Sequence, residues 1–127
     1  MITGRSSTGA VHIPEVGVLV VGGLKRDKSW EHLATTELLW NESHNGEIIR
    51  GWKQLFPMIK QRWDPSVVYF ERRVFVVSKF ESSVEMLPIS SSHIGQWTVI
   101  HGCDTPRKSP SCMCVHNGRL LLAGKLK

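Results

Sequence analysis

Three apolar runs set the rhythm of the chain. Residues 17–23 read GVLVVGG, residues 73–79 read RVFVVSK, and residues 119–125 read RLLLAGK. None approaches the roughly twenty apolar residues that cross a bilayer. All are short and rich in valine or leucine, which favours buried β-strands over helices. The first run closes on Gly22-Gly23, which marks a sharp turn or a place where another backbone comes close.

Other landmarks recur in step with these runs. Arg5, Arg62 and Arg107 each precede one of them, and Glu37 (TTELLW) and Glu85 (SVEMLP) each follow one. Trp52 (GWKQL) and Trp97 (GQWTVI) come next. The chain therefore divides into a first unit at 5–61, a second at 62–106, and the opening half of a third at 107–127. The extra length of the first unit lies after Gly23, where LKRDKSWEHLATT stands in place of the FESS of the second.

Each complete unit reads as four strands. The first two form a hairpin, most clearly in the third unit, where Asn117-Gly118 is a two-residue turn signal. Glu71-Arg72 is a weaker counterpart. The third strand carries Glu37 or Glu85, and the fourth begins at Trp52 or Trp97. Helical periodicity is absent, although the 30–39 segment admits a short helix.

Units of about 45–50 residues with four strands each mark β-propeller blades. An apolar strand closing on Gly-Gly, then a glutamate strand, then a tryptophan followed by a basic residue, resembles the kelch repeat. The similarity covers nearly the whole chain. Two features depart from it: the glycine pair becomes Ser78-Lys79 and then Gly124-Lys125, and Trp40 and Pro88 stand in the region where a third-strand tyrosine is common.

The resemblance implies an all-β fold, a partial (open) kelch β-propeller of about two and a half four-stranded antiparallel blades. Gly22, Gly23 and Gly124 fill the turn after the second strand, and Trp52 and Trp97 pack between successive blades. Complete kelch rings have five to seven blades, so this array stays open and its strand edges favour association. A BTB-type domain has no room in it. The implied role is protein recognition, either as the substrate receptor of a cullin-type ubiquitin ligase or in binding actin.

Strand direction selects a face. In an antiparallel hairpin, the start of the first strand and the end of the second lie together. Arg5, Arg62 and Arg107 thus share an end with the loops after Gly23, Lys79 and Lys125, opposite the turns at Glu71-Arg72 and Asn117-Gly118. A ring of arginines there, with Ser6 beside Arg5, suits an acidic peptide segment. The competing reading is that each arginine pairs with a loop carboxylate or a backbone carbonyl. Trp30, in the 24–36 loop, is either a partner anchor or packs on its own blade.

Composition narrows the remaining classes. The chain has 127 residues, 41% hydrophobic and 21% charged, enough for an ordinary core. Its net charge of +5 is scattered, with no basic run of the kind that binds nucleic acid specifically. Residues 1–20 lack a signal-peptide pattern, which favours a cytoplasmic protein that does not enter membranes. Asn41-Glu42-Ser43 fits a glycosylation acceptor, a pattern frequent by chance.

Cys103, Cys112 and Cys114 lie near His93, His101 and His116, but Cys-x-Cys is not a strong zinc spacing, and buried free thiols are the simpler reading. A copper-oxidase propeller would need tyrosine and histidine ligands, and Tyr69 is the single tyrosine. Asp64 and Asp104 read as turn residues. No enzyme activity, cofactor or metal is expected.

Overall fold

A computed structural model describes residues 1–90, 93–101 and 110–124. The described residues form an all-β structure of antiparallel sheets, none of them closed. They contain no helix long and apolar enough to cross a membrane.

The first four-stranded sheet has the order β1 (Gly9–Ile13), β2 (Gly17–Val21), β5 (Thr36–His44), β6 (Glu47–Leu55). The second consists of β7 (Trp63–Phe70), β8 (Arg73–Lys79), β9 (Glu81–Pro88) and β10 (Thr98–Ile100), again in sequence order across the sheet. A hairpin of β11 (Pro110–His116) and β12 (Arg119–Gly124) follows. A small hairpin, β3 (Leu24–Arg26) with β4 (Trp30–His32), fills the long connection between β2 and β5.

That small hairpin corrects the helical option for 30–39. Arg26 pairs with Trp30 across its turn, and Leu24 exchanges two backbone hydrogen bonds with Ser6. These bonds hold the segment extended. A second correction concerns β6, which starts at Glu47 rather than Trp52. Asn45 and Gly46 both adopt positive φ (50° and 80°), the shape of a two-residue hairpin turn, so the strand begins directly after them. Glu71-Arg72 and Asn117-Gly118 turn in the same left-handed way.

The alternation of side chains builds two cores. Ile13, Leu19, Val21 and Leu38 lie on one face of the first sheet and meet Val74, Val76, Leu87 and Trp97 of the second. The opposite face of the second sheet, with Phe75, Val77 and Val84, receives Met113 of the last hairpin, with Leu120 and Leu122 beside it. The first strands of the three units are neighbours: β1 lies against β7 and β7 against β11. The sheets thus stack face to face in chain order.

The reading of Cys112 and Cys114 is corrected as well, while Cys103 lies outside the described residues. Cys112 and Cys114 do share a face with Met113 opposite, but Met113 is the buried residue and both thiols are exposed. The second sheet offers its apolar face to the methionine side of β11.

Candidate recognition surface at the loop end

Gly22 and Gly23 end β2 with φ of 60° and 97°. A Cβ on Gly22 would stand 2.6 Å from the Arg62 carbonyl, and one on Gly23 would stand 2.5 Å from the Ser6 carbonyl. Both the conformation and the close approach therefore demand glycine. The Gly23 amide donates to the Arg62 carbonyl at 2.8 Å, and the Asp64 amide donates to the Ser7 carbonyl at 3.0 Å. The entry of the second sheet is thereby laced to the loop end of the first. Gly124 pairs with Pro110 at the end of β12.

The entry segments of the first two units each carry a buried arginine in the same setting. Arg5 Nη1 donates to the Thr35 carbonyl (2.9 Å) and its Nη2 to Glu37 Oε2 (2.6 Å). Arg62 Nη1 donates to the Ser83 carbonyl (2.9 Å) and its Nη2 to Glu85 Oε2 (2.8 Å). The backbone completes the parallel: Ile2 and Thr3 amides donate to Glu37, and Ile59 and Lys60 amides donate to Glu85. Burial on its own pushes the Glu37 carboxyl up. The Ile2 amide, the Arg5 guanidinium and the Thr3 amide outweigh it and hold the group below its ordinary range.

Both guanidinium groups are sealed from solvent. This corrects the expectation that Arg5 and Arg62 meet a partner: they clamp their own units, because a desolvated arginine needs a carboxylate and several acceptors close by. Arg107 lies outside the described residues. Ser6 is exposed and serves through its backbone, bridging to Leu24.

Trp52 and Trp97 hold the same register, Trp52 opposite Leu39 and Trp97 one step beyond the Thr98–Met86 pair. Trp97 is buried between the two sheets, 5% exposed. Trp52 is only half-buried, because it points to the face of the first sheet that no described sheet covers. Its expected place between sheets is corrected accordingly.

The loop end also gathers aromatic side chains. Trp63, at the start of β7, stacks on Phe80 with centroids 5.5 Å apart and planes 6° from parallel. His32 of the β3–β4 hairpin stacks 6.5 Å from Trp63. Lys79 lies over the Trp63 ring at 5.4 Å and pairs with Asp64 at 3.2 Å. Phe80 occupies a left-handed turn between β8 and β9 (φ 64°) and is 76% exposed. Trp30 is 59% exposed, with Arg26 over its ring at 5.4 Å.

Two units thus contribute to one platform of flat apolar surface flanked by cations. Such a platform can hold apolar side chains and satisfy carboxylates beside them. Trp63, Phe80 and His32 carry no motif of their own. The available signal was position: Trp63 adjoins the repeat arginine, and Phe80 follows the strand end where the first unit has its glycines.

Among the described residues, no group of histidine, cysteine and acidic side chains could hold a metal ion. A cleft of about 910 Å³ opens between the sheets elsewhere, lined by Trp40, Leu55, Phe56, His93 and Ile94, and shares no residue with the aromatic platform. No protein-family model matches the chain, and no curated protein matches it.

Proposed function

We propose that the chain is the recognition part of a kelch-like β-propeller, an open array of blades that binds a protein partner at its loop end. The observation that carries the reading is the stack of exposed His32 and Phe80 on the half-buried Trp63, contributed by two successive units. Aromatic side chains held rigidly at the surface are the usual anchors of protein interfaces, and loops on a β scaffold are where recognition is carried. The recurrence of strand order, arginine clamp and sheet stacking supports the kelch resemblance. The partner segment combines an apolar or aromatic side chain for the platform with acidic groups for Arg26 and Lys79. In the role the resemblance implies, that partner is a cytoplasmic substrate presented to a cullin-type ubiquitin ligase.

The test is affinity capture from cells with quantitative mass spectrometry, using wild type, Trp30→Ala, Phe80→Ala and Arg72→Ala. The reading expects a partner retained by Arg72→Ala and lost by the two aromatic variants. A partner lost only by Arg72→Ala places recognition at the hairpin-turn end and overturns it.

A further inference from the structure

The two outermost faces of the stack are matched to each other. On the first sheet, Val18, Val20, Leu39 and Trp52 share one face, by the pairings Val18–Leu39 and Leu39–Trp52. In the second sheet the same register places are taken by Val74, Val76, Leu87 and Trp97, by the pairing Val74–Leu87. Those four are buried, because they seat on the Leu19 face of the sheet before them. Val18, Leu39 and Trp52 remain half-exposed.

At the other end, the repeat of the apolar runs puts Leu121 where Leu19 and Phe75 stand in their sheets. Leu121 pairs with Cys114, and Ala123 with Cys112, so these four share a face. All four are exposed, Leu121 at 44%. That is the face which, in the first two units, receives the next element of the stack: Leu19 meets the second sheet, and Phe75 meets the last hairpin. One chain therefore carries both halves of its own inter-sheet contact: on the first, Val20 is buried beside Glu37 and Val18, Leu39 and Trp52 stay open, and on the second no described sheet is seated.

We propose that these halves mate between copies of the chain: the Leu121 face of one copy seats on the Trp52 face of the next, head to tail. The occupant of each face is then a second copy, joined by the same register contact that already links the first sheet to the second. Such an interface is heterologous, so it propagates or closes into a ring according to the rotation between copies. The β11–β12 half contributes two strands, not four, so the association is weak and depends on concentration. The inference is independent of the partner reading above.

The experiment is sedimentation velocity of the purified 127-residue chain under reducing conditions, from about 1 to about 100 μM. The proposal expects the average mass of the wild type to rise with concentration. Trp52→Asp and Leu121→Asp each alter a residue already half-exposed or more, and each should remain monomeric with an unchanged circular dichroism spectrum. An equimolar mixture of the two should form a one-to-one dimer, because each variant supplies the face the other has lost. A wild type that stays monomeric throughout overturns the proposal. So does a mixture that fails to associate, or association that survives in both single variants, which would run through strand edges instead.

Discussion

Arg62 and Glu85 meet twice through one oxygen: Nε at 3.0 Å and Nη2 at 2.8 Å both donate to Oε2, with both side chains fully buried. The pair joins the entry segment of the second sheet to its third strand, β9. Arg62→Met should cost about 3–5 kcal/mol, since it leaves a buried carboxylate without its counter-charge. The double variant Arg62→Met/Glu85→Leu should be more stable than Arg62→Met alone, because no charge is then stranded. Urea unfolding of the three proteins measures this, and equal losses in the single and double variants would contradict it.

Glu37 gives the fold an acid-sensitive joint. Its folded carboxyl lies below its ordinary value of 4.5, so folding is favoured by the ionised form. That contribution is complete above about pH 4.5 and is lost as the pH falls through the lower folded value. Stability followed by denaturant titration from pH 7 to pH 3 should therefore decline on the acid side. Glu37→Gln should be less stable at neutral pH and show a shallower acid decline. An unchanged slope in Glu37→Gln would place the sensitivity elsewhere.

Gly22 and Gly46 separate backbone conformation from crowding. Both have positive φ, but a Cβ on Gly46 meets open space whereas one on Gly22 meets the Arg62 carbonyl. Gly46→Ala should cost about 1 kcal/mol, and Gly22→Ala about 1–3 kcal/mol with weakened contact between the sheets. Thermal unfolding distinguishes them, and equal costs would mean that the neighbouring backbone moves aside freely.

Trp97→Ala should cost about 3–5 kcal/mol, the usual penalty for emptying a buried tryptophan site. Trp52→Ala, at the same register on an uncovered face, should cost about 1 kcal/mol. Denaturant midpoints of the two variants check the contrast. Similar large losses would show that Trp52 is covered after all.

The strands are legible in the sequence because runs such as GVLVV and RVFVV bury alternating side chains on two faces, and short valine-rich stretches suit that setting. Asn117-Gly118 announces its turn, and Asn45-Gly46 carries the same dipeptide signal, enough to start β6 before Trp52. Burial is less legible. Trp52 and Trp97 share a register, and their different exposure depends on which sheet has a neighbour, something no local pattern encodes. Arg5 and Arg62 recur visibly in the sequence but leave their direction open: a recurrent arginine serves a partner or a carboxylate equally well until the fold brings Glu37 and Glu85 beside it. The aromatic platform is the least legible feature, since His32, Trp63 and Phe80 come from three separate segments and only tertiary packing stacks them.

The proposed binding of a protein partner at the loop end makes a local demand on the aromatic platform. Hydrogen exchange of the chain, with and without the partner captured by wild type and Arg72→Ala, tests it most directly. New protection is expected at the β3–β4 hairpin and at Lys79–Phe80, with the turns at Glu71-Arg72 and Asn117-Gly118 unchanged. Protection confined to those turns, with Trp30 and Phe80 exchanging as in the free chain, would contradict it.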